Sequence, residues 1–200
     1  LNLNFKSKIM KTIRTLVALA FGSFLILSAP ACKDKEKASG EKPKGEELVN
    51  VYCSGPEYFT TKEKFRANAI GESLDQMTSK KKALSNARAE LAANIQTTMK
   101  VVGDNYVKSS EFNNKEEITE TFQENARTVV NQQIRGVRTI CEKQTKTVEG
   151  KYKTYIAIEL GTQELLQAYN ERLSNEEQLK ADYNYEKFKE TFEKEMEKMS

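Results

Sequence analysis

The chain has 200 residues, of which 38% are hydrophobic and 30% are charged, a balance typical of one soluble globular domain with long solvated helical faces. Its formal net charge is +3, but residues 1–31 contain four basic residues and no acidic ones. The remaining 28 basic and 29 acidic residues give a net charge of −1, so the rest of the chain has no general electrostatic attraction for nucleic acid. The chain contains no histidine, which excludes Ser-His and Cys-His catalytic pairs and His-containing zinc sites.

The first 31 residues have the pattern of a secretory signal. Met10 is the expected start, so that residues 1–9 would lie upstream of the translated chain. Lys11 and Arg14 make a basic start, and the apolar run from Leu16 to Leu27 is about 12 residues long, too short to cross a bilayer. The sequence therefore predicts a signal peptide at residues 1–31 and an exported mature protein.

A cysteine follows the apolar run directly after small residues. The stretch Ala29-Pro30-Ala31 before Cys32 resembles the lipobox of bacterial lipoproteins, and this resemblance implies cleavage before Cys32 and acylation of that residue, including palmitate. Burial of the acyl chains would stabilise membrane attachment by about 0.8 kcal/mol per CH₂. The same three residues also fit the A-x-A pattern of ordinary signal cleavage, which would leave a soluble secreted protein.

Residues 32–47 are predicted to be the lipidated cysteine and a disordered, charged tether. From Lys33 to Glu47, 10 of the 15 residues are charged, and nothing in this segment favours burial. Its start, Lys33-Asp34-Lys35-Glu36, resembles the signal by which Bacteroidetes-type bacteria move lipoproteins to the outer face of the outer membrane. If the run is only a charged tether, the protein would face the periplasm.

We expect residues 48–200 to form a single domain that begins with a short strand. Val49, Val51 and Cys53 alternate with polar or aromatic neighbours, which is typical of a strand. Residues 58–71 show no clear period. A long helix is then predicted over Lys80–Val107, and the apolar side chains that recur on one of its faces are Leu84, Ala87, Leu91, Ile95, Met99, Val102 and Tyr106.

The second half of the chain predicts another helix, a hairpin and a helical end. Asn114 and Glu117 have capping-box spacing before a helix that should end at Gly136. Alternation then predicts a β-hairpin formed by Arg138–Lys146 and Lys151–Leu160. Thr162 is expected to cap a third helix, and Ser174 with Glu177 to restart it. The C-terminal helical stripe contains Leu179, Tyr183, Phe188, Phe192, Met196 and Met199, and it is predicted either to be covered by its own domain or to form an interaction surface.

These elements predict an α+β fold of order β-α-α-β-β-α, in which a three-stranded, mostly antiparallel sheet is packed by two to three long helices. Together with the lipobox, Gly71-Glu72-Ser73 and the stretch from Ala83 to Ala92, ALSNARAELA, resemble the Lpp-twenty family of small bacterial envelope lipoproteins. In that family a glycine-containing lead-in precedes an alanine-rich helix and a hairpin. The resemblance implies an anchored envelope protein and supplies no catalytic residues.

Cys53 and Cys141 are the strongest candidates for a structural site, a disulfide bond. Export would place them where disulfides persist, and a bond between them would close a loop of nearly 90 residues. Two buried free thiols are the alternative. Neither a calcium loop nor a phosphate-binding glycine loop is visible, so no metal site and no cofactor is predicted.

The sequence thus favours a non-catalytic binding or structural module anchored to outer-membrane lipid through Cys32. Its expected partners are that lipid and an unidentified envelope protein, and nucleic acid is not expected. Lys80-Lys81-Lys82 is the best candidate for a local basic patch, although such a run is usually a solvated helix face. The alternative function is a surface carbohydrate-binding protein or hydrolase that uses Glu, Tyr and Lys side chains.

Overall fold

The domain is built on an antiparallel sheet of three strands in the order β1-β3-β2. The structure is a computed structural model that describes residues 45, 47, 49–177, 179 and 182–199. The strands are β1 (Lys64–Ser73), β2 (Arg138–Lys146) and β3 (Tyr152–Gly161). The helices are α1 (Gln76–Ser109), α2 (Lys115–Gln133), α3 (Thr162–Ser174) and α4 (Tyr185–Glu197), with 3₁₀ turns at Pro56–Tyr58 and Ile134–Gly136. The expected α+β fold is confirmed, and residues from Val49 onward form one compact unit.

Helix α1 lies across one face of the sheet and makes the centre of the core. Asp75 caps its start, since one carboxylate oxygen accepts hydrogen bonds from the backbone and the hydroxyl of Thr78, each at 2.7 Å. Ala83 and Ala87 are fully buried, and Gly71 of β1 approaches the backbone of α1 at Ser79 and Ala83 so closely that a methyl group would not fit. Small residues at this crossing therefore let the helix lie directly on the sheet.

The far half of α1 is packed by the other helices around an aromatic cluster. Tyr106 is fully buried, and its ring centroid lies 5.4 Å from that of Phe122 in α2 and 5.5 Å from that of Phe188 in α4. The Tyr169 hydroxyl of α3 donates to the Phe122 carbonyl at 2.6 Å. Burial of Phe188, Phe192 and other members of the C-terminal stripe shows that this stripe is covered by its own domain, although Met199 stays 41% exposed.

The predicted strand at Val49–Cys53 is wrong. Residues 49–51 have no regular structure, and Tyr52 and Cys53 form a turn in which Cys53 has a φ of 58°. The first strand is instead β1, within and just beyond the stretch that showed no period. Its core-facing residues include Ala67, Ala69 and Gly71, and the two alanines pair with isoleucines of β3. Because α1 packs so close to this strand, small residues replace the apolar alternation that sequence analysis relies on.

None of the three predicted helix caps, at Asn114, Thr162 and Ser174, forms as expected. Asn114 precedes α2 as expected, but its side chain donates to the Glu117 carboxylate at 2.5 Å and does not cap a backbone N–H. Ser174 ends α3 and starts no helix. Helix α4 begins after Asn184, whose side chain accepts from the backbone of Lys187 at 3.0 Å. Thr162 is the first residue of α3, and its hydroxyl donates to the Lys62 carbonyl at 3.0 Å.

Candidate functional site

The face of the sheet opposite α1 is covered in part by the segment that precedes β1. The structure joins Cys53 in this segment to Cys141 in β2 by a disulfide, with Cα atoms 5.6 Å apart. Cys141 pairs with Ala157 of the central strand, which is fully buried, and the Cys53 sulfur lies 3.6 Å from the carbonyl oxygen of Tyr155 in the same strand. Sequence analysis paired these cysteines, but only Cys141 lies in a strand. Cys32, the predicted signal peptide and the tether, except for Gly45 and Glu47, lie outside the described residues.

A buried carboxylate holds the same segment at its other end. Glu159 of β3 is 5% exposed, and it pairs with Arg66 of β1 at 3.1 Å and with Arg138 of β2. Arg66 also donates to the carbonyls of Glu57 at 3.2 Å and Phe59 at 3.4 Å. Burial raises the pKa of Glu159, but hydrogen bonds from both arginines outweigh this effect and leave its pKa below the ordinary value of 4.5. Glu159 is thus an ionised structural anchor.

The sheet has two edge strands, β1 and β2, and the outer edge of β1 is the candidate for partner binding because a groove runs along it. Alternate residues of an edge strand turn both backbone groups away from the sheet. At Arg66 these groups are occupied, because the Thr60 hydroxyl accepts from its N–H at 3.1 Å and donates to its carbonyl at 3.2 Å. At Ile70 the carbonyl accepts from the Asn86 side chain at 3.1 Å. Asn68 lies between them with the same orientation, and no described residue bonds its outward N–H or C=O.

A groove of about 450 Å³ runs along this open edge. One wall is the segment Tyr58–Thr60, and the opposite wall is α1, which contributes Asn86, Glu90 and Asn94. These three residues are spaced by four, so they follow one face of the helix at intervals of about 6 Å. Alternate residues of an extended strand repeat at about 6.8 Å. The wall therefore presents polar side chains at nearly the spacing of the side chains on one face of a bound strand.

A second groove, of about 640 Å³, lies between α1 and α4 and gathers lysines and glutamates. Two of its three carboxylates are paired with cations, Glu190 with Lys194 at 2.8 Å and Glu195 with Lys198 at 2.6 Å. The hydrogen bond from Lys194 lowers the pKa of Glu190. Glycoside hydrolysis requires a carboxyl group that stays protonated near neutral pH, and a lowered pKa has the opposite effect. This groove therefore gives no support to the hydrolase alternative.

Within the described part of the chain, no three or more Cys, Asp or Glu side chains are grouped so that they could hold a metal ion. No helix among the described residues is long and apolar enough to span a membrane.

No model of a protein family matches the chain, and no curated protein matches it either. The open edge of β1 and its groove, which sequence analysis did not identify, are the candidate binding site.

Proposed function

We propose that this protein is a membrane-anchored envelope lipoprotein whose folded domain is a non-catalytic binding module. Its site is the groove beside β1, and its ligand is an extended segment of another envelope protein that adds to the sheet as a fourth strand. The observation that carries this proposal is the open backbone of Asn68, which lies between Arg66, whose N–H and C=O are both bonded, and Ile70, whose C=O is bonded. Strand addition of this kind takes its affinity from main-chain hydrogen bonds and its specificity from side chains along the groove.

The groove favours a polar segment with a basic residue. Glu90 is exposed at the centre of the α1 wall, and Asn86 and Asn94 flank it one turn away on either side. The Glu90 carboxylate would pair with a lysine or arginine, and the two amides would hydrogen-bond polar neighbours. Ala67 and Ala69 flank Asn68 with small side chains, so a strand can approach the edge at this point. The proposed ligand is therefore extended and positively charged at its middle.

The binding site can be tested by photo-cross-linking in living cells. A photoreactive phenylalanine analogue replaces Phe59 in the wall of the groove opposite Glu90, which is kept, and a second chain carries the analogue at Asn131, an exposed residue of α2. We expect one abundant envelope protein to cross-link from position 59 and not from position 131. Equal labelling from both positions, or only scattered neighbours despite normal expression, would refute the binding site.

A proline at position 68 then tests strand addition itself. Asn68→Pro removes the outward N–H but no bond of the β1–β3 ladder, and edge strands tolerate proline in this orientation. Asn68→Thr is the matched control, because it changes the side chain and keeps the N–H. We expect cross-linking from position 59 to be lost with proline and retained with threonine. Loss with both, or with neither, would show that the partner does not use this backbone edge.

The proposed anchor is Cys32, and the proposed location is the outer membrane. The lipobox, the charged run after it and the resemblance to the Lpp-twenty family support this assignment. Metabolic labelling with palmitate should mark the wild-type protein and not a Cys32→Ala variant, which should also leave the membrane fraction. A labelled variant, or an unlabelled wild type, would refute the anchor. Digestion of intact cells with protease distinguishes a protein on the cell surface from one on the periplasmic face.

A further inference from the structure

Three large apolar side chains are exposed at the end of the sheet that carries the β2–β3 hairpin. Leu74 follows the last residue of β1 and is 76% exposed, and Met77 in the first turn of α1 is 60% exposed. Val148 lies at the hairpin turn and is fully exposed. The register places them together, since Ser73 and Lys146 both pair with Tyr152. The Gln76 side chain also donates to that of Gln144 at 2.7 Å.

The same end is basic. Residues 72–82 and 142–153 together contain seven lysines and four carboxylates. Residues 171–199, which include α4, contain six basic and nine acidic residues. Helix α4 packs on the opposite end of α1, where Asn105 donates to Glu195 at 3.0 Å. The domain therefore has a basic, partly apolar end and an acidic end, separated along α1 by about 30 to 40 Å, since the acidic segment contacts α1 at Thr98 and Asn105.

The chain enters the domain from the side of the basic end. Arg66 binds the carbonyls of Glu57 and Phe59 in the row of the sheet that contains Glu159. Tyr52 lies against Tyr155, with ring centroids 5.4 Å apart, which is closer to the hairpin. The segment therefore runs, from Phe59 back to Tyr52, toward the hairpin. Cys32 precedes Val49 by 17 residues, a contour length of at most about 60 Å.

We propose that this end, defined by Leu74, Met77, Val148 and the lysines around them, is the face that the domain docks on an anionic phospholipid bilayer. The inference rests on the proposed lipid anchor at Cys32. Anchoring makes docking an intramolecular event, so that a weak surface interaction suffices. The lysines are attracted to lipid phosphates, and the three apolar side chains enter the interface. Docking would leave the groove beside β1 upright on the membrane and the acidic end of the domain turned away from it.

The test uses the full mature lipoprotein, purified from membranes and reconstituted into vesicles that contain a nitroxide-labelled headgroup lipid. A fluorophore is attached to Val148→Cys, and in a control protein to Asn131→Cys on α2. We expect strong quenching at position 148 and little at position 131 on vesicles of phosphatidylglycerol and phosphatidylcholine. On phosphatidylcholine alone, quenching at position 148 should be much weaker.

Charge-reversal variants provide the second part of the docking test. Lys81→Glu with Lys146→Glu should reduce docking by about fivefold for each lysine lost. The matched control, Lys100→Glu with Lys108→Glu, makes the same change in net charge away from the hairpin and should leave quenching unchanged. Equal quenching at both probe positions, or equal effects of both double variants, would overturn the inference.

Flotation distinguishes a failure of the domain to dock from a failure of the lipid anchor. A protein that floats with the vesicles but is not quenched at position 148 is anchored and does not dock by this end, so only the present inference falls. A protein that does not float, even with anionic lipid, lacks the anchor. That outcome overturns the premise together with the inference.

Discussion

The hydroxyl of Ser79 in α1 lies 2.8 Å from the hydroxyl of Thr154 in β3, at the point where the helix crosses the sheet. The Ser79 hydroxyl is also 2.9 Å from the carbonyl of Gly71 in β1. Both side chains are fully buried, so these contacts link the long helix to two strands in a dry environment. Gly71 is the residue that permits this close approach.

Replacement of Gly71 by alanine should therefore destabilise the fold. Its Cβ would clash with the backbone of α1 at Ser79 and Ala83, and a rigid backbone cannot move aside as a flexible side chain would. We expect a loss of about 3 kcal/mol in the free energy of unfolding, measured with urea. Gly136→Ala is the control, since its Cβ meets open space. An equal effect of the two substitutions would contradict the proposed packing.

The disulfide should contribute strongly to stability. Its cysteines are separated by 88 positions, and closure of a loop of that length stabilises a fold by about 4 to 5 kcal/mol in the chain-entropy model. Cys53→Ala with Cys141→Ala should lower the urea midpoint accordingly, and reduction of the wild type should have a similar effect. Thiol labelling of the native protein should detect neither cysteine before reduction. Rapid labelling of both without reductant would refute the bond.

Stability should fall in acid in a manner that depends on Glu159. Because its pKa in the folded state lies below the ordinary value of 4.5, ionised Glu159 stabilises the fold above that value, and this contribution is lost as pH falls through the folded-state pKa. Glu159→Gln should therefore be less stable than wild type at neutral pH, and the difference should shrink as the pH is lowered below 4.5. Urea unfolding across this range measures it.

Glu72→Gln is the matched control for Glu159→Gln. The pKa of Glu72 is also lowered, chiefly by the hydrogen bond from Lys151, but Glu72 is exposed to solvent at its pairs with Lys151 and Lys153. Surface pairs of this kind contribute little. An equal loss of stability in both variants, or a difference between wild type and Glu159→Gln that does not change with pH, would contradict the role given to Glu159.

The C-terminal helix should behave as core. Phe188 is fully buried, and its ring centroid lies 5.3 Å from that of Tyr169. Phe188→Ala should cost about 3 to 5 kcal/mol, and truncation at Asn175 should lower the melting temperature sharply. The neighbouring exposed residue provides the control, since Glu186→Ala should change stability by about 0.5 kcal/mol or less. Unchanged stability after truncation would mean that α4 is an accessory helix.

Sequence patterns predicted the helices and the hairpin because these elements bury side chains at their own regular spacing. Leu91, Ile95 and Met99 of α1 are buried as their spacing indicates. In β3 the alternation of apolar residues identifies the face of the strand that packs on the core. The first strand had no such signal. Its close packing against α1 requires Ala67 and Gly71, whereas Val49 and Val51 alternate in a segment that is not a strand.

The candidate binding site could not be predicted from the sequence alone, for a related reason. Asn68 becomes an open position only when β1 is known to be an edge strand and when Thr60 and Asn86 are known to occupy its neighbours. Strand order depends on contacts between Lys64–Ser73 and Tyr152–Gly161, which are far apart in the sequence. In contrast, Cys53 and Cys141 could be paired from their number and the expected compartment, without knowledge of their geometry.

The disulfide also determines how mechanical load would enter a tethered domain. A pull on the chain before Val49 reaches the fold at Cys53, and the covalent bond transmits it at once to Cys141 in β2. From there the load passes to β3 and then to β1 through two antiparallel ladders. A partner held on the outer edge of β1 would thus be connected to the anchor through the whole width of the sheet, and the segment between Cys53 and β1 would carry little of the force.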